Sequence, residues 1–290
     1  MSCPIAMEPN TSREESKMSR NLRAMRVVTV LLAFFAACGA RAAEGYTNWD
    51  TFDGASEISE QRWLGLERHR MIEGGALRMI QRDRGSQTGN TGMFSNWWDT
   101  SLANAGAVTQ MKATISVNAL EVSHCAANAA QGKVTARING AFFNAGPGVP
   151  SPGNRINDVG AVIEVLRDAN SVDPPNVMRL RGSVYQCTQP DCSFGWIGLG
   201  GVDLGTATVG ESVTVKLEWD KPSKRFNFFR GSDPVQRVSY VVSDALAPAL
   251  VYRLVGTSTM LAHCTAGRTE GFIDAKFDSI FVNASAAPPP

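Results

Sequence analysis

The chain has almost no net charge to work with. Its 28 Lys and Arg stand against 27 Asp and Glu over 290 residues, a net of +1. That gives no electrostatic case for nucleic-acid binding. It also lacks any long window with apolar residues at 3.6-residue spacing, so long amphipathic helices are excluded. No internal repeat of 20–50 residues is present, which removes solenoids and propellers. There is no Gly-x-Ser-x-Gly elbow, no Gly-rich phosphate loop and no His-Glu-x-x-His, so the common hydrolase, nucleotide and zinc-protease signatures are absent.

The only long apolar run, residues 27–37, is too short to span a bilayer comfortably. It follows Arg20, Arg23 and Arg26 and precedes Ala40-Arg41-Ala42, a small-x-small cleavage pattern. Residues 1–42 are therefore expected to be a signal peptide, with the mature chain starting at Ala43. Met18 is the more typical start for such a signal, so residues 1–17 read as a mis-set start or a long n-region. The expected location is secreted or periplasmic, with no transmembrane segment once the signal is gone. The style of the signal suggests a bacterial source. Cys38 loosely fits a lipoprotein box, but Phe35 replaces the usual Leu and a good cleavage site lies downstream, so the lipid reading is set aside. Without residues 1–42, which hold six Lys/Arg and three Asp/Glu, the balance is 22 against 24, a net of −2.

Four cysteines then remain: Cys125, Cys187, Cys192 and Cys264. An oxidising compartment favours two disulfides. Cys187 and Cys192 bracket the turn-forming Thr-Gln-Pro-Asp, which favours a local bridge, and Cys125–Cys264 follows by elimination. His124-Cys125 and His263-Cys264 offer zinc ligands as an alternative. However, adjacent side chains on a strand point to opposite faces, so one pair would not readily share a metal.

What the chain does have is alternation. In residues 212–219, Val213, Val215, Leu217 and Trp219 share one face and Thr214, Lys216 and Glu218 the other, the period of a half-buried strand. Residues 220–224 supply a turn and 225–230 extend again, giving a hairpin with Trp219 in the core. Similar strands are expected over residues 107–122, 133–144, 158–168, 177–186, 194–199, 235–242, 249–261 and 271–282. A further strand enters through Gly74-Gly75, and residues 93–99 read as a short strand or an aromatic surface platform. Residues 57–67 are the one candidate helix, 243–248 a turn, and 145–157 a Gly- and Pro-rich surface loop. About a dozen such strands predict an all-β fold, an antiparallel two-sheet sandwich over 43–284, with 285–290 as a disordered tail.

Three segments carry a resemblance. They are Asp50-Thr51-Phe52-Asp53-Gly54 followed by Trp63 and Gly74-Gly75-Ala76-Leu77-Arg78-Met79; residues 211–230; and Phe277-Asp278-Ser279-Ile280-Phe281-Val282. Together they resemble the concanavalin A-like lectin/glucanase superfamily, which includes laminin-G-like jelly rolls, over about residues 46–284. The resemblance implies a jelly-roll sandwich, a last strand beside the first, and a carbohydrate-facing sheet. Hydrolases of that superfamily carry Glu-x-Asp-x-x-Glu. Here Glu164-Val165-Leu166-Arg167-Asp168 has Leu166 where the central Asp would stand, and no second Glu follows. Its two acids, four residues apart on a strand, are about 13 Å apart, too far for either glycosidase geometry.

The expected function is therefore binding of a polysaccharide or glycoprotein without catalysis. The alternatives are a glycoside hydrolase or polysaccharide lyase with unaligned carboxylates, and a structural or adhesive surface domain. Trp97 and Trp98 with Asn96 and Asp99 form one candidate sugar platform, since aromatic faces pack on sugar C–H surfaces and amides and acids fix hydroxyls. Trp196, between glycines, is a second. Arg137, Asn139, Arg179, Arg181 and Glu164 fall on one polar sheet face, suited to an anionic glycan or simply solvated. No cofactor or metal is expected. Calcium has only thin support from the acids and amides of 154–158 and 168–173.

Overall fold

The computed structural model describes residues 67–192 and 195–286. The signal segment, the motif containing Phe52 and Trp63, residues 57–66 of the helix expected over 57–67, Ser193, Phe194 and residues 287–290 lie outside them. Within this span no helix is long and apolar enough to cross a membrane.

The strands in chain order are β1 (Glu67–Glu73), β2 (Ala76–Arg84), β3 (Met93–Ser101), β4 (Gln110–Val122), β5 (Lys133–Asn144), β6 (Asp158–Asp168) and β7 (Val177–Cys187). They continue with β8 (Trp196–Thr208), β9 (Ser212–Asp220), β10 (Arg225–Arg230), β11 (Gln236–Ser239), β12 (Tyr252–Ala262) and β13 (Glu270–Val282). One 3-10 turn, Ala105–Ala107, precedes β4, so this strand starts three residues later than its sequence suggests. Glu67, placed at the end of the expected helix, opens β1 instead.

Two antiparallel sheets form a jelly-roll sandwich. One has the order β1-β2-β13-β4-β9-β10-β11, the other β3-β12-β5-β6-β7-β8. The β1–β2 hairpin turns on Gly74 (φ 60°) and Gly75 (φ 82°), both in the left-handed region that a tight two-residue turn demands. The last strand, β13, lies between β2 and β4, with β1 outside β2 at the edge.

The sheets meet over a core of alternating side chains. Met79, Met111, Ile115, Phe226, Phe228 and Phe277 come from the first sheet; Ile138, Phe143, Ile163, Met178 and Leu180 come from the second, and all are fully buried. Each such side chain contributes about 1.5–3 kcal/mol on leaving water. The approach is close at Gly182, where a Cβ would lie 2.4 Å from the Phe228 ring. Trp219 is partly buried as expected: it stacks on Phe143 at 5.5 Å, and its indole N–H donates to the Tyr240 hydroxyl at 2.8 Å.

The two disulfides are Cys187–Cys192 and Cys125–Cys264. The second ties the segment after β4 to the segment after β12, and so one sheet to the other. The cysteines bond each other, so they are not zinc ligands. Of the first residues of the expected tail, Ser285 is exposed but accepts from Asn283 at 2.7 Å, and Ala286 is buried.

Candidate functional site

The second sheet has a face turned away from the core. On β5 that face carries Lys133, Thr135, Arg137 and Asn139, because Val134, Ala136 and Ile138 take the core side. By the same alternation β6 contributes Val162 and Glu164, β7 Ser183 and Tyr185, β12 Tyr252, Leu254 and Ser258, and β3 Trp97 and Asp99. These side chains, Thr135 excepted, line a groove of about 820 Å³. At one end it is bounded by Arg155, Asp191, Cys192, Trp196 and Leu250.

That end is held by backbone bonds. Arg155 N–H donates to Pro190 O at 2.8 Å and Asn157 N–H to Cys187 O at 2.9 Å, which pins the 145–157 loop onto the disulfide turn. Arg155 lies over the Tyr252 ring, 5.2 Å from its centroid, and donates to the Tyr252 hydroxyl at 2.9 Å. The Tyr252 and Tyr185 hydroxyls are 2.8 Å apart, and Tyr185 donates to Asn139 Oδ1 at 3.0 Å. Tyr185 lies over Gly160, where a Cβ would meet the ring at 2.4 Å. Burial, with Tyr252 beside it, pushes the Tyr185 phenol well above its ordinary value, so it stays a neutral hydroxyl. Trp196 stands edge-on to Tyr185 at 6.5 Å and is 56% exposed.

The middle of the groove is charged. Strand register places Asp99, Gly256, Arg137 and Glu164 in one row across β3, β12, β5 and β6. Arg137 Nη2 reaches both Asp99 oxygens at 3.0 Å, passing over Gly256. A Cβ at 256 would lie 2.2 Å from Asp99 Oδ1, so glycine is what opens that path. Glu164 accepts from Lys133 Nζ at 3.0 Å. The backbones of Asp99 and Glu164 stand three strand spacings apart, about 14 Å.

The sequence candidates divide accordingly. Trp97, Asp99, Arg137, Asn139, Glu164 and Trp196 line the groove. Trp98 does not: it faces the other way, packs against the core cluster, and has Arg68 and Arg70 over its ring at 5.2 and 5.7 Å. Asn96 donates to Asp83 at 2.8 Å. Arg179 is bound to Asp173 at 2.8 Å, and Arg181 lies 3.7 Å from Asp168. A solvated polar face is not what the structure has at Arg137 and Asn139, each 8% exposed, because neighbouring strands and lips cover them. The thin calcium candidates are committed elsewhere. Asp158 accepts from Asn144 and from the backbone of Ala249 and Leu250, and among the described residues no group of three His, Cys, Asp or Glu could hold a metal ion.

Lys133, Arg155, Tyr185, Tyr252 and Gly256 escaped the sequence reading. Lys133 and Tyr185 were within its reach, since Lys133 shares the strand parity of Arg137 and Asn139, and Tyr185 that of Arg179 and Arg181.

No known family pattern matches the chain, and no curated protein matches it. Solved structures do. A GlcNAcα1-4Gal-releasing endo-β-galactosidase from Clostridium perfringens aligns at 10% identity and a TM-score of 0.36, over 72% of this chain and 53% of that one. The chain thus spans about half of that enzyme's length. A carbohydrate-binding module from Bacillus subtilis aligns at 11% identity and TM-score 0.30, over 74% and 90%. A galectin-like protein from Bacillus subtilis aligns at 11% and 0.28, over 76% and 90%. Likenesses this remote carry neither function nor residue roles across.

Proposed function

We propose that this is an exported module that binds carbohydrate in the groove and does not cleave it. The observation that carries the reading is the aromatic end, where Trp196 is more than half exposed beside Tyr185 and Tyr252. An indole face open to solvent next to a chain of hydroxyls and an amide suits a sugar, which has apolar C–H faces and a polar rim. A glycan or a glycoprotein can present such a ring. The absence of cleavage is supported by the floor. Asp99 and Glu164 are each ion-paired at 3.0 Å, to Arg137 and to Lys133. A glycosidase needs one of its two carboxyls as a protonated acid. Export is supported by the signal pattern before residue 43 and by two disulfides.

The test is Trp196→Ala on a glycan array, with Trp97→Ala beside it. Trp196→Ala should melt with the native protein, since the side chain packs little, and should bind its glycan about 3- to 10-fold more weakly. Unchanged binding to every glycan would remove the platform. Release of reducing ends from a polysaccharide panel would refute the non-catalytic reading.

A further inference from the structure

The groove contains a guanidinium that the protein satisfies only in part. Arg137 is 8% exposed, and Asp99 takes its Nη2. Its Nε is buried without an acceptor, and its Nη1 makes no bond among the described residues. The nearer carboxylate does not help. Glu164 lies directly opposite Arg137 on β6, yet it is engaged by Lys133 at 3.0 Å. Burying a donor with no acceptor is costly, and more so for a charged group. Such a group is therefore retained at a cost unless something supplies the acceptor.

The surrounding groups have the same surplus. Asn139, two residues along the same strand face, gives its Oδ1 to Tyr185 and keeps its Nδ2 amide as a donor. Arg155 has only neutral partners, the Tyr252 hydroxyl and the Asp191 carbonyl oxygen at 3.0 Å, and its Nε is also buried without an acceptor. On the acidic side Asp99 and Glu164 are engaged by Arg137 and Lys133. Uncommitted donors outnumber uncommitted acceptors on the floor, which matches an acceptor-rich ligand. A planar guanidinium matches a carboxylate in shape as well as in charge.

We infer that the glycan taken by this groove contains uronic acid, with a sugar carboxylate on Arg137 and Asn139 and a neighbouring ring on Trp196 and Tyr185. This rests on the carbohydrate-binding reading above. The test is affinity electrophoresis in gels containing polygalacturonate or hyaluronan. Each is run beside its carboxyl-reduced counterpart, in which a hydroxymethyl group replaces the carboxylate, and beside neutral β-glucan and galactan. The native protein should be retarded by an acidic polymer and at least about 10-fold less by its reduced form. Arg137→Gln should weaken retention about 10- to 100-fold. Arg137→Lys, which keeps a cation for Asp99 but lacks Nε, should fall between the two and guards against a mere folding defect. Asp99→Asn frees the guanidinium and should tighten retention. Equal retention by acidic and reduced polymers, or retention by neutral polymers alone, overturns the uronic-acid inference and leaves a groove for neutral glycans. Retention by none of the gels overturns both.

Discussion

The two outward faces of this sandwich differ in what alternation means. On the first sheet the rule is simple: β4 and β9 bury Met111, Ala113, Ile115, Val213, Val215 and Leu217, and leave Lys112, Thr114, Thr214 and Lys216 at least partly open. That surface is tied by exposed pairs, such as Lys216 to Glu218 at 3.1 Å. On the second sheet β5 and β12 are buried on both faces for nearly their whole length. Polar residues there are enclosed, and Thr135 Oγ1 and Arg137 Nε have no hydrogen-bond partner, which is costly unless the enclosure serves a purpose. Identical strand chemistry thus makes a solvated surface on one side and a built cavity on the other.

The disulfides sharpen that contrast most. Cys125–Cys264 closes a 139-residue separation and joins the two sheets, and loop-entropy reasoning assigns its removal a cost of about 5 kcal/mol. Cys187–Cys192 closes a separation of five at the groove's end, and the same reasoning gives about 2 kcal/mol. Urea unfolding of the two double Cys→Ala variants should rank them in that order, while glycan binding should suffer more from the smaller crosslink. The reverse ranking in binding would detach the Cys187–Cys192 turn from the site.

Next in size is a matched pair of threonines on the two outward faces. Thr135 is fully buried with an unpartnered hydroxyl; Thr114 is half-buried and shares its hydroxyl with Thr214 at 3.1 Å. Thr135→Lys should cost about 3 kcal/mol or more, and Thr114→Lys about 0.5 kcal/mol or less. Equal costs in denaturant titrations would mean the faces are equivalent after all.

The smallest effect is in alkali. Tyr185 on the groove side and Tyr240 on the core side both have phenols raised above the ordinary 10.0, each chiefly by burial. A raised phenol favours the folded state below the unfolded value, and that contribution is lost as pH climbs past 10. Stability should therefore be level below pH about 9 and decline above 10. Tyrosinate absorbance should appear together with unfolding, and Tyr185→Phe should shallow the decline.

Most of the strand plan was legible because it depends on period. The 212–230 hairpin, β5 and β6 stand where alternation puts them. The same period could have separated Trp97 from Trp98, which the platform reading joined, since neighbours on a strand cannot face the same way. The enclosure of Arg137 and Asn139 was not legible, because what encloses them comes from remote segments. The tyrosine contact joins residues 67 apart, and the meaning of Gly256 exists only through register with Asp99 and Arg137. Local pattern says which face a residue takes, but not what lies across from it.

The sheet-to-sheet disulfide also governs how the domain bears load. Strands β5 to β12 lie wholly inside the covalent loop that Cys125 and Cys264 close. Tension applied at the two chain ends can peel β1 to β4 and β13, then meets the crosslink and bypasses everything within it. The strands that carry Arg137, Glu164, Tyr185 and Trp196 are off the force path, so a chain held at its ends can be stretched while these strands carry no tension; of the groove's strands only β3, with Trp97 and Asp99, lies on the path.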